Sequence, residues 1–339
     1  MIIKKLTFSL ILVCLSSHVL AASAVWPTKT SYRNKEVLGH NIFYREAGET
    51  NKETILLLHG YPSSSHTYRE LIPLLSGRYH VIAPDNLGSG YSDKPDPAVF
   101  HYDFDVLAKY IDGLVNALKI NKFTIYMQDF GAPVGYRIMI KDPSKINAII
   151  AQNANAYIEG IPNKKQNFFR KAQTDKSPEN VSKLYSFTSF QAVKFKQYLR
   201  DVQGREEIMS PDAWIHDSKY LETKSEREIQ VALFQDYKTN LDAYLSWQKF
   251  LRTNQFPTLI VWGKNDPVFT AKGAHAYLHD LPNAELHLLD AGHFAVEEKA
   301  AEIAQLITAF LGDSERAGTI TKQRDLIDAY IRSNKSSNN

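Results

Sequence analysis

The chain has 339 residues, a formal net charge of +3 and a hydrophobic share of 44%, which suffices for a large buried core. The small charge gives no indication of nucleic acid or an anionic membrane as a partner. Cys14 is the only cysteine and lies in a segment that we expect to be removed. Disulfides, thiol catalysis and thiolate metal sites are therefore excluded from the mature chain.

Residues 1–21 are typical of a secretory signal peptide. Lys4 and Lys5 precede an apolar stretch from Leu6 to Leu15, and small residues end the segment at Ala21. The alternative is a retained anchor helix, but the apolar run is short for a span of about 20 residues. We expect an exported protein, periplasmic or secreted, with no stable membrane anchor after cleavage. Removing the two lysines lowers the formal charge from +3 to +1.

Apolar strands alternate with helical segments through the first half of the chain, which predicts an α/β fold with a mostly parallel sheet. A hairpin at 35–45 comes first, and the run Thr54–Leu58 has the composition of a central strand. Residues 66–75 and 104–118 have helical spacing, with a strand at 79–83 between them. Further strands are expected at 123–125, 146–151, 257–262 and 285–289, and helices at 136–141, 271–281 and 296–311.

Residues 157–251 interrupt this pattern, because they are helical and contain no strong buried strand. We interpret them as a cap inserted into a core made of residues 22–156 and 252–312. Residues 313–339 form a polar C-terminal tail, in which Leu326, Ile327, Tyr330 and Ile331 suggest a short helix.

The stretch Gln128-Asp129-Phe130-Gly131 follows a strand and precedes a helix. Strand, sharp turn and helix are the context of a nucleophile elbow, which presents one side chain on a strained turn. Here that residue is Asp129, so the pattern indicates a carboxylate that attacks an alkyl carbon and forms an ester. The alternative is an Asp that caps the helix after it.

Two later segments supply what is needed to hydrolyse such an ester. Asp266 and His293 each follow a predicted strand, at the sheet edge where catalytic groups of α/β proteins gather. His293 is the predicted general base toward water, and Asp266 would fix its tautomer. Taken singly, Asp266 also suits a turn and His293 a satisfied polar group.

His59-Gly60-Tyr61-Pro62 follows the apolar strand Thr54–Leu58. At this position the hydrolase fold draws an oxyanion-hole N–H, so we expect the backbone N–H groups of Tyr61 and Phe130 to face the developing oxyanion. The alternative is an ordinary strand-ending turn.

With these motifs, the chain resembles the α/β-hydrolases with an aspartate nucleophile, namely epoxide hydrolases and haloalkane dehalogenases. The resemblance covers about Lys35 to Leu311. It implies an eight-stranded sheet with helices on both faces, a helical cap, no cofactor and a cis bond between Tyr61 and Pro62. It also implies a small apolar substrate, in a pocket to which we assign His59, Pro62, Asn153 and Phe294.

The two chemistries differ in how the leaving group is stabilised. Dehalogenases of the family usually place a Trp after the nucleophile, whereas the side chain of Phe130 has no donor. The alternative is that Trp214 or Trp247 of the cap supplies one. Epoxide hydrolases use cap tyrosines as the acid, and Tyr157 and Tyr237 are our choices. Met127-Gln128 before the nucleophile is nevertheless closer to dehalogenases.

Epoxide hydrolysis is the predicted activity, with haloalkane dehalogenation as the alternative. A non-catalytic ligand-binding protein on the same fold is the alternative of another class. No metal site is predicted, because His275 and His279 lack an accompanying H-E-x-x-H carboxylate. The sequence does not determine the oligomeric state.

Overall fold

The computed structural model describes residues 28–202 and 204–312, and its centre is a sheet of eight strands. In chain order these strands are β1 (Ser31–Val37), β2 (His40–Ala47), β3 (Thr54–Leu58), β4 (His80–Pro84), β5 (Phe123–Gln128), β6 (Ile146–Gln152), β7 (Thr258–Gly263) and β8 (Glu285–Leu289). The predicted α/β fold with a mostly parallel eight-stranded sheet is confirmed.

The strands lie side by side in the order β1-β2-β4-β3-β5-β6-β7-β8. β2 runs antiparallel to both of its neighbours, and every other pair is parallel. The carboxyl ends of β3, β5, β6, β7 and β8 therefore meet at one edge, where ligands of α/β sheets bind.

Helices cover the sheet and fill the interval between β6 and β7. In chain order they are α1 (Leu71–Ser76), α2 (Phe104–Ala117), α3 (Gly131–Lys141), α4 (Asn163–Thr174), α5 (Pro178–Phe187), α6 (Phe190–Ala192), α7 (Pro211–Lys219), α8 (Lys224–Asn254), α9 (Ala271–Asp280) and α10 (295–312). The segment Val193–Tyr198 continues α6 as a π-helical turn.

Successive strand residues face opposite sides of the sheet, and each side has its own apolar cluster. Leu56 and Leu58 of β3 belong to the cluster that contains buried residues of α2, α3 and α9. Ile55 and Leu57 belong to the cluster that contains those of α1 and α10. The sheet is thus covered on both faces, which explains the continuous apolar composition of β3.

The helix predicted at residues 66–75 is divided in two. A short 3₁₀ helix spans Ser65–Tyr68, and α1 begins only at Leu71. Pro73 accounts for the break, since proline has no N–H to donate and its ring clashes with the carbonyl four residues earlier. It is tolerated in the first turn of α1, where no intrahelical partner is lost.

Helices α4 to α8 lie between Asn163 and Asn254, in the interval for which a cap was predicted at 157–251, and are called the cap below. The longest, α8, has 31 residues and begins with a capping box between Thr223 and Glu226. Buried residues of α8 join the cluster of α2 and α3, so the cap packs directly on the core. Among the described helices, none has the length and apolar composition needed to cross a membrane.

The signal peptide predicted at 1–21 and the tail predicted at 313–339 lie outside the described residues.

Candidate active site

Asp129 lies at the turn between β5 and α3, with a backbone φ of 49°. This left-handed conformation is unfavourable for a residue with a side chain and marks the strained turn of a nucleophile elbow. The Asp129 carbonyl accepts a hydrogen bond from the Ala132 N–H at 3.0 Å. Among the described residues, no N–H of α3 donates a hydrogen bond to its carboxylate, and Phe130 occupies the N-cap position of that helix. The capping alternative is therefore not the arrangement found.

Two glycines leave room for the groups around this turn. A Cβ on Gly60 would lie 2.3 Å from the Asp129 Oδ1, and one on Gly131 would lie 2.2 Å from the Leu58 carbonyl oxygen. Side chains are impossible at those distances. Gly60 therefore admits the carboxylate, and Gly131 admits α3 behind β3.

The two carboxylate oxygens of Asp129 have different partners. Oδ1 accepts a hydrogen bond from the Tyr61 backbone N–H at 2.7 Å. Oδ2 lies 3.4 Å from the His293 Nε2. Among the hydrogen bonds of the described residues, none joins the Phe130 N–H to this carboxylate. One of the two predicted oxyanion donors is thus in contact with Asp129, and the other is not.

His293 follows β8 and connects Asp129 to Asp266. Its Nδ1 lies 2.7 Å from the Asp266 Oδ2. Asp266 is held by the Val268 N–H at 2.7 Å and by the Asn153 side-chain amide at 2.9 Å. A carboxylate fixed in this way orients the imidazole and stabilises its charged form. The three residues predicted to act together therefore lie in one row, joined by a hydrogen bond between His293 and Asp266 and an ion pair between His293 and Asp129.

Neighbouring charges strongly affect the pKa values of His293 and Asp266. Burial alone would lower the pKa of His293, but the carboxylates of Asp266 and Asp129 outweigh it and raise that pKa to about 10. Burial would raise the pKa of Asp266, yet the interaction with His293 lowers it. In the free protein His293 is therefore an imidazolium between two carboxylates at neutral pH.

Gln128 links the oxyanion turn to the imidazole. Its Oε1 accepts a hydrogen bond from the Gly60 N–H at 3.1 Å, and its Nε2 lies 3.5 Å from the His293 Nε2. At 3.5 Å this contact is too long for a strong hydrogen bond, so it does not offset the charge of the two carboxylates beside His293.

A cavity of about 300 Å³ lies between the core and the cap, above Asp129 and His293. Most of its wall is apolar, formed by Tyr61, Phe130, Phe168, Phe169, Phe187, Phe195, Phe234, Val268 and Phe269. Its polar wall comes from the cap and consists of Lys165, Lys196, Gln197 and Arg200. A larger cavity of about 630 Å³, at Tyr91 and His216, contains none of the three triad residues.

The four residues assigned to the substrate pocket do not line this cavity. His59 accepts a hydrogen bond from the Asn86 N–H at 3.0 Å and so holds the loop after β4. Pro62 forms a cis bond with Tyr61 and shapes the turn. Asn153 supports Asp266, and Phe294 stacks on Tyr198 of the cap at 4.2 Å. These residues support the site without facing a substrate.

The two tyrosines chosen as the acid occupy different surroundings. The Tyr157 hydroxyl donates to Asp280 at 2.7 Å, and Tyr157 does not line the cavity. This placement does not suit an acid that faces the substrate. Tyr237 does not line the cavity either, but it lies directly behind its wall, where its ring stacks on Phe169 at 4.0 Å. Among the described residues, its hydroxyl has one long contact, 3.5 Å to the Tyr244 hydroxyl.

The two cap tryptophans lie away from the cavity. Trp247 stacks on Tyr136 at 4.6 Å, and Trp214 packs in a separate cap cluster with Tyr198. Neither indole N–H lines the cavity that contains Asp129. The pair of N–H donors that a departing halide needs is therefore not supplied by these residues.

A cap contact on the catalytic loop was not predicted from the sequence. Asp201 Oδ2 accepts a hydrogen bond from the His293 backbone N–H at 3.1 Å. It also receives one from the Arg200 guanidinium at 2.6 Å, and this guanidinium lies 3.9 Å from Asp266. No motif marks Arg200 or Asp201, since only the folded cap brings them to the triad.

Among the described residues, no group of three or more His, Cys, Asp or Glu side chains is arranged to hold a metal ion.

Comparisons with known proteins identify the family and the fold of the chain. The chain matches the family model described as alpha/beta hydrolase fold over residues 53–300. It is 38% identical over 280 residues to the uncharacterized hydrolase YNR064C of Saccharomyces cerevisiae, covering 81% of this chain and 95% of the yeast protein. A haloalkane dehalogenase of Psychrobacter cryohalolentis is 25% identical over 280 residues, covering 81% and 88%.

Solved structures resemble the chain as well. The haloalkane dehalogenase DbeA from Bradyrhizobium elkani has a TM-score of 0.70 at 20% identity, covering 85% of this chain and 100% of that one. The epoxide hydrolase CorEH has a TM-score of 0.66 at 19% identity, covering 84% and 99%. At such identities the likeness shows the fold.

Proposed function

Because the chain belongs to the α/β-hydrolase family, we propose that it hydrolyses a small epoxide through a covalent ester on Asp129. The observation that carries the proposal is the division of the Asp129 carboxylate between two partners. Oδ1 contacts the Tyr61 N–H at 2.7 Å, and Oδ2 lies 3.4 Å from His293 at the base of a largely aromatic cavity.

In the first step, Asp129 Oδ2 attacks an epoxide carbon, and the bond between that carbon and the epoxide oxygen breaks. The oxygen takes the bonding electron pair and needs a proton. Tyr237 is our choice of donor, because its ring stacks on Phe169 of the cavity wall at 4.0 Å and lies 5.4 Å from the ring of Phe130, the residue after the nucleophile. Its contact with Tyr244 is long, so its proton is not held by a strong acceptor.

Formation of the ester prepares His293 for the second step. The carboxylate charge of Asp129 disappears in the ester, and with it one of the charges that raise the pKa of His293. The imidazolium can then give up its proton, which restores the Tyr237 hydroxyl through solvent, and the neutral imidazole accepts a proton from water through Nε2. The alkylation step thus converts His293 from an ion-pair partner into a base.

The resulting hydroxide attacks the Asp129 carbonyl carbon, and negative charge develops on Oδ1 beside the Tyr61 N–H. The bond between the carbonyl carbon and the ester oxygen then breaks. The diol leaves with a proton from His293. The new carboxyl group of Asp129 then gives its proton to the imidazole, which regenerates the imidazolium and a carboxylate that contains one oxygen from water. Asp266 keeps the imidazolium oriented throughout.

Dehalogenation is the weaker candidate. Phe130 has no N–H on its side chain, and Trp214 and Trp247 do not line the cavity. Dehalogenation stays a candidate because some relatives are named haloalkane dehalogenases. A product assay separates epoxide hydrolysis from dehalogenation. Small epoxides should give diols, whereas alkyl bromides should release no bromide above the uncatalysed rate.

The covalent route is tested with His293→Gln. This variant retains the nucleophile but lacks the base, so an epoxide should alkylate Asp129 and the ester should accumulate. Intact-mass spectrometry should show a mass increase of one substrate, located on the peptide that contains Asp129. His279→Gln, on the exposed side of α9, is the matched control and should show no accumulation. Turnover by wild type without any adduct in His293→Gln would refute the covalent route.

A further inference from the structure

We propose that the substrate of this site carries a carboxylate, and that Lys165 binds it inside the cavity that contains Asp129. The inference rests on the proposed function, because it names the substrate class of the same site. It replaces the expectation of a purely apolar substrate.

The cavity has two unlike walls. One is aromatic and surrounds the nucleophile, and the other carries the cations Lys165, Lys196 and Arg200 of the cap. A neutral apolar molecule would fill the first wall and leave Lys165 and Lys196 without a counter-charge. A molecule with an apolar body and an anionic end matches both walls.

Lys165 is the cation whose charge is free to bind a ligand. Among the described residues, its ammonium group has no hydrogen bond or ion pair, although Lys165 is half-buried. Arg200 differs, because its guanidinium binds Asp201 at 2.6 Å. Lys196 is unpaired within the same described part of the chain but is exposed at the rim. The buried carboxylates Asp129 and Asp266 both contact His293 instead.

The position of Lys165 is electrostatically unfavourable for a cation. It occupies the first turn of α4, where the helix dipole disfavours cations and where no acidic residue is present. Burial and the nearby charge of Arg200 lower the pKa of its ammonium group, against the opposing effect of Asp266 and Asp201. A carboxylate beside Lys165 would complement the helix terminus, the ammonium and the guanidinium together.

The cavity volume limits the size of this ligand. At about 30 Å³ per non-hydrogen atom, the share of a water molecule in the liquid, 300 Å³ holds about ten such atoms. An epoxide on a short alkyl chain with a terminal carboxylate has this size. We therefore choose 6,7-epoxyheptanoate as the probe and its methyl ester as the neutral counterpart.

The test measures kcat/KM for both compounds. Wild type should prefer the carboxylate, and Lys165→Met should lose about tenfold or more on the carboxylate, the usual contribution of a charge-assisted hydrogen bond. The same variant should change the rate on the methyl ester by no more than about twofold. Lys165→Arg should keep the preference. Lys164→Met is the matched control, because Lys164 is exposed on the same turn and does not line the cavity.

A binding experiment is independent of catalysis. Calorimetry with heptanoate should give an affinity for wild type and Lys164→Met that falls about tenfold in Lys165→Met. An unchanged preference and an unchanged heptanoate affinity in Lys165→Met would overturn the inference. If His293→Gln forms no adduct with either epoxide, the proposed function fails instead. Heptanoate binding that depends on Lys165 would then still support the anion site.

Discussion

The core and the cap hold their polar groups in different ways. In the core, Asp266 accepts hydrogen bonds from backbone and side-chain donors, and His293 is fixed between two carboxylates. In the cap, the hydroxyl of Tyr237 has one long contact, and the ammonium of Lys165 has none among the described residues. The triad residues are preorganised, whereas Lys165 in the cavity wall keeps its donors free for a ligand.

The largest expected effect comes from removing the core nucleophile. Asp129→Asn should lower turnover by a factor of about 10⁴ or more, because an amide does not form the ester. The variant should still fold, which circular dichroism checks. Such amides can hydrolyse slowly to the acid, so activity should return over time together with the mass change of deamidation. Full activity directly after purification would contradict the assignment.

The next effect tests whether the cap supplies the acid. Tyr237→Phe removes one hydroxyl and should slow alkylation of Asp129 by an epoxide about a hundredfold. The rate of ester hydrolysis should stay unchanged, because that step uses His293. Single-turnover kinetics separate the two steps. Tyr157→Phe is the control and should leave alkylation unaffected, since that hydroxyl is bound to Asp280 outside the cavity. The reverse result would exchange the roles of the two tyrosines.

A smaller effect tests whether the cap positions the core triad. Asp201→Asn weakens the bond to the His293 backbone N–H by removing a charge, and should slow ester hydrolysis about tenfold. Alkylation should change less, because Asp129 is held by Tyr61 on the core side. Glu207→Gln, an exposed cap variant, is the control. Equal losses in both steps would indicate general destabilisation instead of positioning.

The smallest effect concerns stability at the cap–core contact between His66 and His216, whose rings stack at 4.0 Å. Burial and the neighbouring charges of His216, Arg69 and Arg45 lower the pKa of His66 to about 3. The unfolded chain therefore binds a proton near pH 6.5 that the folded chain does not, and stability falls as the pH drops from 6.5 toward 3.

The melting temperature should accordingly fall less between pH 7 and pH 5 in His66→Phe than in wild type, since phenylalanine keeps the stacking without titrating. Replacing the exposed His101 by Gln should reproduce the wild-type fall. A steeper fall in His66→Phe would show that His66 does not contribute in this way.

The sequence predicted the core better than the cap, for a physical reason. Asp129, Asp266 and His293 each follow a strand, and parallel strands bring their carboxyl ends together wherever the helices lie. Which residues of a helical cap face the site depends on the angles at which its helices cross. The periodicity of the sequence does not reveal these angles. The sequence therefore could not separate Tyr157 from Tyr237, nor indicate Lys165 or Asp201. Among the core residues, Asn153 was assigned to the pocket because a strand-end position does not show which way a side chain turns.

A single turnover in ¹⁸O-labelled water tests the central claim most directly. If Asp129 forms the ester, the oxygen that enters the diol comes from its carboxylate, and water oxygen enters Asp129 instead. The first diol released should therefore lack ¹⁸O, and mass spectrometry should find the label on the peptide that contains Asp129. Label in the first diol, with an unlabelled Asp129 peptide, would show that water attacks the substrate directly and would contradict the covalent mechanism.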